Sequence, residues 1–259
     1  MEDDARLRQL EARRRTAHRL TGTPMRDGRQ LARFVADRKV ALWTGKSAVP
    51  SLAEAIAGRR LTGSWMANPE VNLIYRLMGK LKGDVLSAPL ILGKGTVMTE
   101  DVGHALHCLA VDDDRRAAAR RQLSPLAAEL LDAVGREGEV RMDTFDVPSA
   151  AGRKARHELE HAFLVASHEF HTERGAHASI LTPWPASPLA TRVAAAGPIA
   201  LSDAEDRLVL AAMHAAVLAP AREARRWFPG SAGTVDRLLA GGRLCQLVDG
   251  KQTFVTTAG

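Results

Sequence analysis

The chain has 259 residues, of which 46% are hydrophobic, 4% aromatic and 25% charged, and its formal net charge is +6 at pH 7. This composition excludes a disordered chain, and its alanine- and leucine-rich apolar set favours helices over aromatic-rich β-sandwiches. Two cysteines exclude a disulfide framework, and no apolar run of about 18 residues occurs, so we expect no membrane span.

The first predicted element is a basic N-terminal helix, which we place within residues 1–22. Its sequence is acidic and then basic and lacks the apolar segment of an export signal, so we expect a cytoplasmic protein with reduced cysteines. The excess of arginine suits an anionic partner such as nucleic acid, although a high-GC genome produces the same bias.

Residues 28–99 predict a winged helix, because their elements follow the order helix, strand, helix, helix, hairpin. Ser51 and Glu54 form a capping box for the middle helix, and Gly93-Lys94-Gly95 indicates the turn of the hairpin. We assign residues 23–112 to this first winged helix and to the spacer helix that follows it.

The same order returns in residues 113–186, which predict a second winged helix. A capped helix comes first, and a short strand follows it. We interpret residues 144–151 as a brief helix and residues 153–163 as the third helix. The stretches LVASHEFHT and HASILTPW then predict the two strands of a hairpin.

Residues 187–259 repeat the order once more, without a clear first strand, and we interpret them as a C-terminal winged-helix-like domain. Ser202 and Glu205 cap the first helix of this region, and Asp249-Gly250 predicts a tight hairpin turn. The predicted fold class is therefore mainly α with short β-hairpins (α+β), built as tandem winged-helix domains behind an N-terminal helix.

The histidine-rich segment opens with HELEH at residues 157–161, the H-E-x-x-H pattern with which zinc metalloproteases place two imidazoles and a catalytic glutamate on one helix. Three features argue against zinc. Glu160 puts a charge where such helices are buried, Leu164 and Ser167 occupy the places of a third ligand, and the later histidines fall on a predicted hairpin. We therefore predict no metal site and no cofactor, and a zinc metalloprotease is the third alternative.

The helix at residues 153–163 is also the predicted recognition helix of the second winged helix. Arg153, Lys154, Arg156 and His157 cluster at its N-terminal end, where side chains reach phosphates or base edges when the helix lies in the major groove. The alternative is a solvated charged helix face.

The tip of the hairpin that follows carries a second set of candidate DNA contacts. His171, Thr172, Arg174 and His177 flank the turn, where an arginine can pair with phosphate or enter a narrow minor groove. Glu173 is the carboxylate there that could position a water for cleavage of a glycosidic bond, and it is the candidate catalytic residue. The alternative is that Glu173 caps the turn or pairs with its neighbouring arginine.

Trp65 is the aromatic residue with a candidate functional role. It lies in the Gly63-Ser64-Trp65 loop, where an exposed ring would stack on an everted base. Packing against a core is the alternative, as it is for the other tryptophans.

Several of these stretches resemble the AlkZ-related proteins, shorter relatives of the AlkZ/YcaQ-type DNA glycosylases. The resemblance runs from about Pro50 to Trp184 and is carried by PSLAEAIAG, GSWMANPEVNLIYRLMGKL and ELEHAFLVASHEFHTERGAH. It implies a DNA-binding, repair-type fold of tandem winged helices, in which the parent enzymes cleave the N-glycosidic bond of alkylated or crosslinked bases.

The catalytic motif of those parents, Q-x-Q or Q-x-D, does not occur in this sequence. Gln9-Leu10-Glu11 comes nearest to it, but helical spacing turns the side chains of Gln9 and Glu11 apart. Whether the protein is an enzyme is therefore open at this point.

We expect a protein that binds double-stranded DNA, resembles the AlkZ-type glycosylases and acts on alkylated or otherwise damaged duplexes, with N-glycosidic cleavage if it is catalytic. The alternative is a noncatalytic winged-helix DNA-binding or transcription-regulatory protein. We expect no membrane partner and a location at the nucleoid in the cytoplasm. The oligomeric state is open, with a monomer favoured.

Overall fold

The fold of the chain, taken from a computed structural model, is described for residues 2–81, 85–172 and 177–258. Helices dominate these ranges, and their strands form three sheets, each of which is antiparallel and three-stranded. The predicted fold class, mainly α with short β-hairpins, is thereby confirmed. None of the helices in these ranges is long and apolar enough to cross a membrane.

Three repeats of helices and a hairpin follow the N-terminal helix α1 (Glu2–Ala17). The first repeat consists of α2 (Gly28–Arg38), β1 (Val40–Leu42), α3 (Leu52–Ala57), α4 (Val71–Leu81), β2 (Leu86–Ile91) and β3 (Lys94–Met98). The spacer helices are α5 (Glu100–Val111) and α6 (Asp113–Arg120). The second repeat consists of α7 (Pro125–Glu137), β4 (Val140–Arg141), α8 (Ser149–His161), β5 (Val165–His171) and β6 (His177–Pro183). After α9 (Pro188–Val193), the third repeat consists of α10 (Leu201–Ala216), β7 (Ala219–Pro220), α11 (Ala221–Ala224), α12 (Ser231–Ala240), β8 (Leu244–Asp249) and β9 (Gln252–Thr257).

The chain divides into two compact units, one made of residues 1–103 together with 205–259 and the other of residues 104–204. The first unit therefore combines α1, the first repeat and most of the third repeat. The second unit contains the spacer and the second repeat.

α1 is attached to the first unit by its apolar stripe. Leu7 and Leu10, which are 7% and 8% exposed, pack against Leu218 and Leu247 of the third repeat. Fully burying a leucine side chain stabilises a fold by about 1.5–3 kcal/mol, so two such contacts hold the helix in place. The exposed arginines of α1, which are Arg6, Arg8, Arg13 and Arg15, lie on the helix faces that these leucines leave free, whereas Arg14 is half-buried.

The first hairpin turns one residue earlier than its glycines indicate. Ile91 pairs with Lys94, so the loop consists of Leu92 and Gly93, with φ angles of 54° and 67°. Positive φ at both loop residues is typical of a two-residue hairpin turn, and leucine rarely adopts it. The amide N–H of Leu92 donates to the carbonyl oxygen of Trp227 at 2.7 Å, a contact that stabilises this conformation.

The third repeat does have a first strand, which corrects the expectation that it lacks one. Ala219 pairs with Val255 and Pro220 with Phe254, which places β7 at the edge of the sheet beside β9. A strand of two residues has no alternating pattern to detect in the sequence. Its second residue is a proline, which is tolerated at a sheet edge but normally argues against a strand.

The second repeat has one helix where two were predicted. α8 begins at Ser149, directly after Pro148, so the prediction of a separate brief helix at 144–151 is wrong, and so is the predicted start of the third helix at residue 153. Gly152 lies within α8, where a Cβ atom would come within 2.9 Å of the Val147 side chain. The glycine therefore permits a close contact inside a continuous helix.

Candidate nucleic-acid interface

The four DNA contacts predicted on α8 differ in their exposure to solvent. Arg153, Lys154 and His157 are exposed to solvent. Arg156 is half-buried, and its guanidinium donates to the hydroxyl oxygen of Ser179 on β6. Three of the four predicted side chains are therefore available to a partner, whereas Arg156 links the helix to the hairpin.

Glu158, the carboxylate that a zinc hydrolase would use as its base, has a structural contact instead. Its two oxygens accept hydrogen bonds from the backbone N–H of Ser124 at 2.6 Å and from the Ser124 hydroxyl at 2.7 Å. Ser124 is the residue that precedes α7, so Glu158 satisfies the free donors at the start of that helix. Glu158 therefore links α8 to the start of α7 within the second repeat.

Glu160 and His157 of HELEH also have contacts within the second repeat. Glu160 is 4% exposed, and it accepts a hydrogen bond from Ser167, with His157 Nδ1 at 3.3 Å. Burial, followed by the charge of Arg115, lowers the pKa of His161. Across the described ranges, no three His, Cys, Asp or Glu side chains come together as metal ligands would.

We expect the Glu158→Gln variant to lose about 1 to 2 kcal/mol of unfolding free energy, because an amide cannot accept both hydrogen bonds from Ser124. Urea denaturation measures the loss. Glu129→Gln, an exposed change on α7, is the control and should leave the free energy unchanged. Unaltered stability of the Glu158 variant would contradict the capping role.

The hairpin of β5 and β6 is observed as predicted up to its tip. The strands pair from Val165 with Pro183 to His171 with His177. His177 is exposed and Thr172 is half-exposed, and both take part in further contacts. Glu173 and Arg174, together with the side chain of His171, lie outside the described residues.

Trp65 lies in a single turn of 3-10 helix, Trp65–Ala67, and packs against the core of the first repeat. Its side chain is half-buried, as the packing alternative predicts. The exposed aromatic ring nearby is Tyr75, which is 70% exposed on α4.

α4 presents a polar face that was not among the predicted sites. The helix buries Ile74, Leu77 and Leu81. Its opposite side exposes five residues at helical spacing, which are Asn72, Tyr75, Arg76, Gly79 and Lys80. This spacing was the available signal, since polar residues recur at positions 72, 76 and 80 of the sequence.

The cations of the α4 face form no ion pair with a carboxylate of the described residues. Within residues 2–81, 85–172 and 177–258, neither Arg76 nor Lys80 has a carboxylate at ion-pair distance. A Cβ atom at Gly79 would meet nothing within 4 Å, so the backbone there is open to close approach. The face combines positive charge, an exposed ring and an amide.

The corresponding helix of the third repeat, α12, differs in charge. Arg237 pairs with Asp206 at 2.7 Å, and Asp236 pairs with Arg225 at 2.7 Å. The charges on this helix are therefore largely balanced by neighbours. Of the three helices that precede a hairpin, α4 and the second turn of α8 are the ones whose exposed cations have no ion pair among the described residues.

Comparison with known proteins gives one solved structure of similar fold. No protein-family model and no curated protein matches the chain. The structure is similar to that of the Streptomyces sahachiroi DNA glycosylase AlkZ, with a TM-score of 0.50 and 15% sequence identity, over 97% of this chain and 70% of that one. At this identity the similarity shows a shared fold, and it supports the relationship predicted from the sequence at that level.

Proposed function

We propose that the protein binds duplex DNA through tandem winged helices and acts on alkylated or otherwise damaged bases. One observation carries the proposal: along 97% of its length the chain shares a fold with a DNA glycosylase. The unpaired cations of α4 and α8 agree with it, because phosphate contacts from Lys and Arg supply most of the affinity in such complexes. The protein would bind and act on this DNA at the nucleoid, in the cytoplasm.

The α4 face is the proposed main contact with the duplex. In helix-turn-helix proteins the recognition helix lies in the major groove. Arg76 can form two hydrogen bonds with guanine or pair with phosphate, and Asn72 can form two with adenine. Lys80 neutralises phosphate, and Gly79 lets the backbone approach closely. Tyr75 is better placed than the half-buried Trp65 to stack on a base.

The second proposed contact comes from the second repeat. Arg153, Lys154 and His157 supply cations or donors at the start of α8, and His171, Thr172, Arg174 and His177 supply them around the hairpin tip. An arginine at a hairpin tip suits a narrow minor groove. Arg156 is left out of this interface because it already donates to Ser179.

Base excision is the proposed chemistry, with Glu173 as its general base. The carboxylate would take a proton from water as the oxygen bonds to C1′ of the sugar, while the C1′–N bond breaks and the damaged base leaves with the bonding electrons. The products are a free base and an abasic site. Alkylated purines suit this step because their positive charge makes the base a good leaving group.

A duplex-binding measurement tests the proposal. We expect the logarithm of the association constant to fall linearly with the logarithm of salt concentration, with a slope of about −0.9 for each phosphate neutralised. The comparison uses an undamaged duplex and one with an N7-alkylated guanine. Absence of binding at low salt would refute the DNA proposal as a whole.

A glycosylase assay separates the enzyme from the noncatalytic alternative. The same alkylated duplex is incubated with excess protein and then cleaved by alkali at abasic sites. We expect cleavage with the wild type and its loss in Glu173→Gln, with Glu169→Gln on the same hairpin as control. The absent Q-x-Q and Q-x-D motifs favour the alternative, a DNA-binding or transcription-regulatory protein, which predicts duplex binding without any cleavage.

A further inference from the structure

The first unit contains a cavity of about 670 Å³ beside the C-terminal half of α1. Four arginines line it, Arg14 and Arg15 from α1 and Arg59 and Arg60 from the segment after α3. Among the described residues that line it, Glu11 is the one that carries a carboxylate. The cavity wall therefore has a large excess of positive charge.

Among the described residues, two of these four guanidinium groups have acidic partners at ion-pair distance and two do not. Arg59 pairs with Glu70 at 2.7 Å, and Arg60 pairs with Glu54 at 2.6 Å. By contrast, no described carboxylate lies at ion-pair distance from Arg14 or Arg15.

Arg14 in particular lacks the contacts that a half-buried guanidinium needs. One of its terminal nitrogens donates to the carbonyl oxygen of Ala48 at 3.4 Å, and its Nε is buried without a hydrogen-bond partner. Burial lowers its pKa, and the charge of Arg60 lowers it further. Arg14 therefore places a positive charge at the cavity wall that no described carboxylate neutralises at ion-pair distance, and an anion in the cavity would neutralise it.

The shape of the cavity depends on two glycines at its rim. The amide N–H of Gly22 donates to the carbonyl oxygen of Gly58 at 2.8 Å, which ties the chain after α1 to the end of α3. Gly58 has a φ of +71°, and a Cβ atom there would lie 2.5 Å from the backbone of Thr23. The two basic segments are thus held at a fixed separation.

A second cavity of similar volume lies in the second unit, but its charges are more nearly balanced. There Arg120 pairs with Asp132 at 2.5 Å, and Arg136 lies 3.7 Å from Glu137. Arg116 donates to the carbonyl oxygen of Ala110 at 3.0 Å. The excess of unpaired charge distinguishes the cavity beside α1.

We propose that the cavity beside α1 binds a phosphate group, held by the guanidinium groups of Arg14 and Arg15. A guanidinium offers planar, paired N–H donors that match two phosphate oxygens, and such charge-assisted hydrogen bonds are short and strong. The volume is within the range of about 300–1,000 Å³ typical of small-molecule sites, so the phosphate arrives attached to a larger group. That group is either the backbone of bound DNA, which rests on the proposed function, or a free phosphorylated molecule.

Thermal unfolding with inorganic phosphate or pyrophosphate, against chloride at equal ionic strength, tests the site. We expect a saturable rise in Tm for the wild type, since a ligand that binds the folded state stabilises it. Arg14→Gln and Arg15→Gln should each weaken the apparent affinity about 10-fold, which corresponds to one lost charge-assisted hydrogen bond. Because Arg15 is exposed, its variant should fold normally. Arg6→Gln, an exposed change on α1 away from the cavity, is the control and should respond like the wild type.

The proposal is overturned if the wild type shows no saturable response, or if both cavity variants respond as the wild type does. Duplex titrations of the same variants then identify the source of the phosphate. A salt slope reduced by about 0.9 in Arg15→Gln identifies the DNA backbone. An unchanged slope, together with a lost phosphate response, identifies a free phosphorylated ligand. A wild type that responds to phosphate but binds no duplex would refute the proposed function and leave the site standing.

Discussion

The double variant Arg76→Ala/Lys80→Ala is expected to bind duplex DNA about 100-fold more weakly than the wild type at low salt. Each side chain is exposed on α4 without a described acidic partner, and a phosphate or base contact contributes about 1–3 kcal/mol. Two contacts near the lower end of that range give the 100-fold change, since about 1.4 kcal/mol corresponds to a factor of ten. Fluorescence anisotropy with a labelled duplex measures the change.

The salt dependence of the same variant distinguishes direct contact from general charge. Loss of two phosphate contacts should make the slope of log K against log salt shallower by about 1.8. The matched control is Arg225→Ala/Arg237→Ala, which also removes two positive charges, but from residues already paired with Asp236 and Asp206. Equal losses of affinity in the two double variants would contradict a specific role for α4.

Acid is expected to destabilise the first unit through His18. The side chain is 1% exposed, its Nε2 lies 3.1 Å from the carbonyl oxygen of Ala215, and its Nδ1 is buried without a partner. Burial is the largest cause that lowers the pKa of His18 to about 3, and the charge of Arg14 lowers it further. The folded state therefore holds a neutral imidazole with its proton on the nitrogen that faces Ala215.

Because the pKa of His18 is lowered in the folded state, the free energy of unfolding decreases as the pH falls. Below the unfolded-state pKa of about 6.5, the unfolded chain gains a proton at His18 that the folded chain does not. The contribution of neutral His18 to the free energy of unfolding is fully present above this pH. Below it, this free energy falls by about 1.4 kcal/mol per pH unit until the folded-state pKa of about 3 is reached. Between about pH 6.5 and pH 4.5 the expected loss is therefore about 2 kcal/mol.

Urea denaturation across this pH range tests the assignment. In His18→Gln the amide can still donate to Ala215, but it gains no proton, so the part of the pH dependence due to His18 should disappear. His214→Gln, which changes an exposed histidine of α10, should keep the wild-type dependence. A His18 variant with an unchanged pH dependence would show that other groups control acid unfolding.

Local signals account for the parts of the fold that were predicted correctly. Ser124 and Pro125 act over a few residues and mark the start of α7 correctly. Asp249-Gly250 indicates the hairpin of β8 and β9, but Asp249 pairs with Gln252, so the two loop residues are Gly250 and Lys251. The prediction failed at β7, where a contact distant in sequence decides the structure, since Ala219 pairs with Val255 of β9.

The functional residues were harder to predict for the same reason. HELEH draws attention as a motif, yet Glu158 is engaged by Ser124, which lies 34 residues earlier in the chain. No local pattern reveals that contact. The α4 face, by contrast, was visible as a helical recurrence of polar residues. The sequence did not show that Arg237 on the equivalent helix is paired with Asp206, whereas Arg76 has no ion pair among the described residues.

The hydrogen bond at the tip of the first hairpin limits how this repeat can meet DNA. Because the Leu92 amide is held by the carbonyl of Trp227, this tip is fastened to the third repeat and is not free to enter a groove. The first repeat would thus contact DNA through α4 alone, while its hairpin connects the first repeat to the third repeat. Substitutions that break this connection should separate the first and third repeats from each other, and weaken DNA binding only as a secondary effect.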